Sequence, residues 1–544
     1  LILLRLTAGR ILGPKYGDRA AGLLPWLPSL LFAFYMPAAV YAVSILLELP
    51  LVLLVSAAIY LMVLIQESGE ARRHLLLAAS TGLVIGLAGL LRGTALVLAL
   101  PAALVLFRAA RRRTTRFGGV LLMGALATLV LVPAAYHNSR LAGRLAPPTL
   151  NAGVNLYIGN GPQANGFYVA VVPGDWRRDP AGREFLGEKM GTMPPGLAEA
   201  DSIWRREAVR SVADDPGRAA ALWIRKIWLH LQGWEIDQLT PLDRWRLAAP
   251  ALGLLPIPFA LLVVLGLGGA AVRWSDPRVR LVGIALVLLV AFQSLFFVVS
   301  RYRLVLVPLL CLLAMGGVVE LLKRNQRIWI ACGVAVMLAV PWGLGETRDL
   351  WAAQGMANEA RRWAEIGLAD ESSAALDKAE ELYTTAVAGL SGRDGGPAPW
   401  LGLASLKAGR GAVREAVEIL REGARNTAGH LSINKALLAL HLENGDRAQA
   451  LDLTATILAD HPRDADTLHN RTILLAGRGD GAAAAAAARL LVEYHPDDPR
   501  GYVDLGVILA RAGRHREARA VFLEGLAAVP GHPDLLANLA ILDR

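Results

Sequence analysis

GDGAAAAAAARLLVEYHPDDPRGYVDLGVILARAGRHREA, residues 479–518, holds the pattern that decides the fold of the carboxy-terminal third. Gly479 and Gly513 stand 34 residues apart, as do Ala484 and Ala518, and Gly411, Gly445, Ala416 and Ala450 extend the same register upstream. Pro462, Pro496 and Pro530 share the period. A 34-residue unit of two paired helices is the tetratricopeptide signature. The Gly permits the tight turn between helices, the Ala lets them approach closely, and the Pro ends each unit. The array covers 398–544, and a helical stretch at 346–397 reads as a connector or a degenerate leading repeat. Asn470-Arg471-Thr472 matches a glycosylation sequon, but inside a repeat helix such a tripeptide is noise.

Upstream the composition changes. The chain has 544 residues, is 54% hydrophobic, and has a mean hydropathy of +0.42. Those values are too apolar for a soluble enzyme of this size. Runs long enough to cross a bilayer fall near 20–38, 49–65, 74–91, 94–108, 117–136, 248–272, 280–299, 304–322 and 327–344. Of these nine, 94–108 is short and 20–38 carries Pro25 and Pro28. The net charge of +10 would suit nucleic acid, but the cations sit in short clusters between apolar runs, which fixes topology instead. Nucleic acid is therefore not an expected partner. Cys311 and Cys332 lie inside apolar runs without ligand-spaced neighbours, which argues against disulfides and a zinc site.

Basic residues give the orientation. Arg108, Arg111, Arg112, Arg113 and Arg116 form one cluster, Arg273, Arg278 and Arg280 a second, Lys323, Arg324 and Arg327 a third, and Arg72 with Arg73 a weaker fourth. Placing all four in the cytoplasm agrees with alternation of the spans. The outer face of the cytoplasmic membrane then holds Glu48, Arg92, the long segment 137–247, the SRYR turn at 300–303, and the repeats. Within 137–247, two amphipathic helical patterns break at Asp214-Asp215-Pro216-Gly217, and Trp223, Trp228 and Trp234 suit a membrane interface.

Ionisable residues at the ends of apolar runs are costly to bury, and those on one face merit a functional reading. Glu48, Arg92, Arg301 and Arg303, the last two flanking Tyr302, meet that description on the less basic side. Guanidinium groups at headgroup depth suit bidentate pairing with phosphate. Beside them on the same face lies an uncharged ribbon, NAGVNLYIGNGPQANG at 151–166, rich in Asn, Gln and Gly. Its amides both donate and accept, Gly admits close backbone approach, and Tyr157 offers a ring face, all suited to sugar hydroxyls. No phosphate-binding nucleotide loop, dinucleotide fingerprint or H-E-x-x-H is present, so a soluble activated donor is unsupported.

In order along the chain, MPAAVYAVSILLELPLVLLVSAAIYL, GLAGLLRGTALVLALPAALV, VPAAYHNSRLAGRLAPPTLNAGVNLYIGNGPQANG, GWEID and SRYRLVLVPLL resemble the GT-C membrane glycosyltransferases of the protein O-mannosyltransferase and aminoarabinose transferase type, in particular bacterial family 39-like members. The resemblance covers residues 1–345. It implies an all-α, multispanning transmembrane bundle of GT-C type with an outer loop domain, followed here by a tetratricopeptide solenoid. It implies transfer of a sugar from a polyprenyl-phosphate donor to a hydroxyl acceptor on the outer face, with inversion at the anomeric carbon. Arg92, Arg301 and Arg303 would bind the leaving phosphate. Glu48 would steer a divalent metal, a sugar hydroxyl or a neighbouring Arg. Asn155, Tyr157, Gly159, Asn160, Asn165 and Gly166 match the family's amide-rich loop, and Glu235 in GWEID is a further matched acid. At 133–138 the chain departs from the family, with His137-Asn138 where Arg-Asn is usual. The family's catalytic acid lies in a first outer loop, and this chain, opening at Leu1 with LILLRLTAGRILG and a basic turn around Lys15 and Arg19, reads as starting after it.

Two rivals remain. A ligase or polymerase of the O-antigen type would place its largest outer loop late among the spans. A membrane-anchored scaffold would use the spans only to hold the repeats, whose groove would take a protein partner.

Overall fold

The computed structural model describes residues 1–12, 23–43, 47–110, 112–168, 179, 181–190, 193–236, 249–323, 325–340, 345–370, 372–390 and 396–542. Lys15, Arg19, Arg111 and Arg324 lie outside the described residues. Two compact units emerge, one of 1–171 with 196–346, the other of 172–195 with 347–544. The described elements are helical, and one isolated bridge, Tyr35 to Pro256, is the sole β-type pairing among them.

In the first unit four helices are long and apolar enough to cross a membrane by length and composition: Glu48–Gln66, Ala71–Leu91, Arg113–Ala142 and Ser300–Leu322. Ser300–Leu322 is the central one, with nearly every side chain from Ser300 to Val319 buried. Arg113–Ala142 is its opposite, exposing Leu121, Leu129 and Tyr136 along its length. Helices pack closely where side chains vanish: a Cβ on Gly269 would stand 2.3 Å from the Leu313 carbonyl oxygen, and one on Gly317 2.5 Å from that of Leu265. This is the small-residue contact that lets two apolar helices touch backbone to backbone.

Several expected spans are shorter than their apolar runs, and proline explains most of it. The run at 20–38 breaks into Leu27–Ala33 and Met36–Val43, with Pro25, Pro28 and Pro37 denying the backbone donors a continuous helix needs. At 248–272 the helix proper is Phe259–Val272, starting after Pro256 and Pro258. The run at 94–108 begins as a 3-10 turn, Gly93–Leu98, before the Ala99–Ala109 helix. At 280–299 helix ends at Gln293, and at 327–344 it is Gln326–Ala339. Among the described residues, five of the nine expected runs form helices shorter than 18 residues. The helix expected to end near 136 runs on, Arg113–Ala142 being one helix that stops at Gly143, whose φ of 63° only Gly adopts without cost.

The second unit carries the repeats. Helices start at Val413, Arg447, Gly481 and His515, and their partners at Leu431, Ala465, Pro499 and Pro533, each series stepping by 34. Gly411, Gly445, Gly479 and Gly513 all have φ between 74° and 88°, the left-handed turn that the sequence period anticipates. Ala416, Ala450, Ala484 and Ala518 are wholly buried where paired helices cross. Capping and ion pairing share the register. Asp464 and Asp498 cap successive helices through the Thr467 and Arg500 amides. Lys435 reaches Asp464 and Asp466 at 3.0 and 2.9 Å, and Arg500 reaches Asp466 at 3.0 Å. Upstream, Gly345–Ala369 and Ser373–Leu390 share one apolar core with the first repeats through Ala357, Leu382, Leu390 and Trp400. Thr472 of the sequon is buried and bonded to the Leu468 carbonyl, so the tripeptide is helix interior.

Candidate phosphate-binding site

Glu48 opens one helix, Arg92 ends the next, and Ser300–Arg303 opens the central one, so three helix ends meet at one end of the bundle. Arg92 Nη2 donates to Glu48 Oε1 at 3.0 Å. Its guanidinium lies over the Tyr302 ring, 3.8 Å from the centroid, and that of Arg301 approaches the same ring at 5.1 Å. A cation over a ring face is drawn to its quadrupole. Among the described residues, two cations against one carboxylate leave a positive charge uncompensated. Arg92 Nη1 and Arg301 Nε are both buried without a hydrogen-bond partner among the described residues. Of the roles open to Glu48, the structure gives it the neighbouring Arg.

Arg303 belongs to a second, closed cluster. Its side chain is 0% exposed and paired to Glu235 Oε2 at 2.6 Å. Nη1 donates to the Gln232 carbonyl at 2.8 Å, and the guanidinium stacks on Phe259 at 4.1 Å. Glu235 also accepts from Tyr35 at 2.7 Å and from Ser300 at 2.6 Å. Arg303 Nε is buried without a hydrogen-bond partner among the described residues, but the guanidinium's charge is met by Glu235, so the two form a closed pair that pins Ser300–Arg303. The expectation that Arg303 holds phosphate meets a fully buried guanidinium already paired to Glu235.

The amide ribbon is also not the open loop expected. Ala152–Asn160 is a helix, docked on Leu197–Asp214 so closely that the Gly153 amide donates to Asp201 at 2.6 Å. Its amides turn inward to the backbone. Asn155 donates to the Asn151 carbonyl, Asn160 to those of Leu156 and Leu295, and Asn138 to that of Pro147, while Asn165 accepts from the Phe167 amide. Tyr157 packs on Trp204, 4.9 Å between ring centroids. None of these five side chains hydrogen-bonds to Arg92 or Arg301. The ribbon instead buttresses the strip before Ser300: the Val298 amide donates to the Gly166 carbonyl at 2.9 Å, and a Cβ on Gly159 would come within 2.7 Å of the Phe296 backbone. Through Phe297, 5.4 Å from Tyr302, that strip reaches the arginine cluster.

Sequence reasoning missed Lys226 and His230. Both are buried on Pro216–Leu231, beside Leu222 and Leu229 on the face turned inward. A cation recurring at i+4 within an apolar stripe is the signal that could have found Lys226. Its Nζ donates to the Gly159 carbonyl and Asn160 Oδ1, both at 3.0 Å, locking the ribbon helix. Burial, with Arg218 adding repulsion, lowers its pKa to about 8. His230 is pulled down to about 4, chiefly by burial. Among the described residues no three His, Cys, Asp or Glu side chains cluster as metal ligands.

No protein-family profile and no curated protein matches the chain. Among solved structures it is similar to YrrB, described as a TPR protein with an unusual peptide-binding site, at 15% identity over 36% of this chain and 94% of that one, with a TM-score of 0.29. A tetratricopeptide repeat protein from Parabacteroides merdae matches at 17% identity over 35% and 72%, TM-score 0.30. MamA from Desulfovibrio magneticus RS-1 matches at 17% over 33% and 97%, TM-score 0.28. The carboxy-terminal array is of tetratricopeptide type on its own 34-residue helix register.

Proposed function

We propose that the first unit is a membrane-embedded transferase whose arginine cluster holds the phosphate of a polyprenyl-phosphate-linked sugar on the outer face of the cytoplasmic membrane. One observation carries the reading: Arg92 and Arg301 share the Tyr302 ring, and among the described residues a single carboxylate, Glu48, pairs with the two of them, through Arg92. Both guanidinium groups are half-buried, where an unmatched cation draws a counter-charge. A phosphate bound at this end of the bundle would supply the counter-charge that the second guanidinium lacks. As the sugar's bond to that phosphate breaks, negative charge grows on the departing oxygen, and pre-placed guanidinium groups stabilise it without reorganising. Glu48 is held by Arg92, and Glu235 by Arg303, Tyr35 and Ser300. Removal of the acceptor hydroxyl's proton therefore falls to a group outside these two clusters.

The four long apolar helices support the membrane setting, and the GT-C resemblance supplies the reaction class. The repeats would offer their groove to a protein partner. The test is sugar transfer from a radiolabelled polyprenyl-phosphate hexose in membranes carrying the full chain. Arg92→Gln and Arg301→Gln should abolish transfer while leaving the protein in the membrane. The 34-residue array favours one second reading, a membrane-anchored scaffold, in which both variants keep full cellular function.

A further inference from the structure

The opposite end of the bundle holds a second concentration of charge. Glu48–Gln66 separates the two ends by about 28 Å, at roughly 1.5 Å per residue. There a cavity of about 910 Å³ is rimmed by Arg108, Arg273, Arg278, Arg280, Lys323 and Arg327. Three acids face them, Glu67, Asp276 and Glu320. Each is engaged: Glu67 by Arg10 and by Arg278 at 3.0 Å, Asp276 by Arg273 at 3.2 Å, and Glu320 by Lys323 at 3.3 Å. Arg108, Arg280 and Arg327 form no ion pair among the described residues, and Arg273 Nη1 is buried without a hydrogen-bond partner. The floor is apolar, with Leu12, Pro101, Val105 and Leu281 buried beneath the cations.

A basic excess that merely fixed topology would need no concavity. Here cations from three separate stretches of chain converge on one hollow. Guanidinium forks match phosphate oxygens bidentately, and an apolar floor under a basic rim suits an anion with or without an attached acyl chain.

We propose that this cavity binds a phosphate ester or phosphate anion, presented either by an anionic phospholipid headgroup or free in solution. It is a site separate from the Arg92–Arg301 cluster and stands whether or not that cluster takes a lipid-linked sugar.

The test uses the purified full chain in neutral detergent, titrated calorimetrically with inorganic phosphate, dihexanoyl phosphatidylglycerol and dihexanoyl phosphatidylcholine. The triple variant Arg108→Gln, Arg280→Gln, Arg327→Gln breaks no ion pair, and Arg280→Gln alone provides a milder second variant. Phosphatidylglycerol should bind the parent, at least tenfold more weakly the triple variant, and severalfold more weakly the single one. Equal loss for inorganic phosphate assigns the free anion as source; binding of phosphatidylglycerol alone assigns the headgroup. The proposal is overturned if no anionic probe binds the parent, if phosphatidylcholine binds as well, or if both variants bind like the parent.

Discussion

Removing the Glu235 carboxylate tests the closed cluster. Arg303 is fully buried, and in Glu235→Ala its guanidinium keeps only neutral partners, the Gln232 carbonyl at 2.8 Å and a weaker contact to Leu229 at 3.4 Å. Stranding one member of a buried ion pair costs about 3–5 kcal/mol. The Tyr35 and Ser300 hydroxyls lose their acceptor in the same stroke. Glu235→Gln keeps the shape and an acceptor oxygen, and should cost less. Pairing Glu235→Ala with Arg303→Met removes the stranded cation and should recover a large part of the loss, which a double-mutant cycle reads as coupling. The assay is denaturant unfolding in detergent micelles, followed by protease susceptibility so that the first unit is reported apart from the repeats. A loss below about 1 kcal/mol for Glu235→Ala, or a double variant no more stable than the single, would refute the argument that a closed ion pair pins Ser300–Arg303.

Three further outcomes follow from the same geometry. His230 sits at about 4 in the folded chain against an ordinary 6.5, because burial penalises the imidazolium. Its neutral ring therefore contributes stability that is complete above 6.5 and drains as pH falls towards 4, with a ceiling of about 3 kcal/mol; His230→Asn should flatten that stretch of a stability-against-pH curve, and an unchanged slope would exclude the assignment. Gly159→Ala forces the Phe296 backbone to shift by the overlap at 2.7 Å, at a cost of about 1–3 kcal/mol, and should raise hydrogen exchange at 295–303; exchange unaltered there would show that the ribbon does not buttress the site. Ala484→Leu overpacks a wholly buried helix crossing, and faster exchange should appear in 465–494 while 48–91 stays as it was; a change spread evenly over the chain would contradict a nearest-neighbour repeat.

The repeats were legible almost residue by residue, because one period fixes both turn and crossing: Gly479 has to enter the left-handed region and Ala484 has to be small. The convergence of Glu48, Arg92, Arg301 and Tyr302 was legible too, since charges at the ends of apolar runs gather at bundle ends. What composition does not encode is who pays for whom. Arg303 and Arg301 are two residues apart in SRYR, yet only Arg303 finds Glu235, 68 positions away. The ribbon misled because Asn and Gly favour turns locally, whereas packing against Asp201 and Trp204 turns 152–160 into a helix whose amides bond inward. Lys226 escaped notice because its two acceptors, Gly159 and Asn160, are contributed by that unexpected helix.

The central claim rests on the spare charge around Tyr302, and direct binding of a polyprenyl monophosphate to the purified full chain tests it most plainly. The parent should bind in a salt-sensitive manner, and Arg92→Gln and Arg301→Gln should each weaken binding at least tenfold. Undiminished binding by both Arg92→Gln and Arg301→Gln would contradict the account.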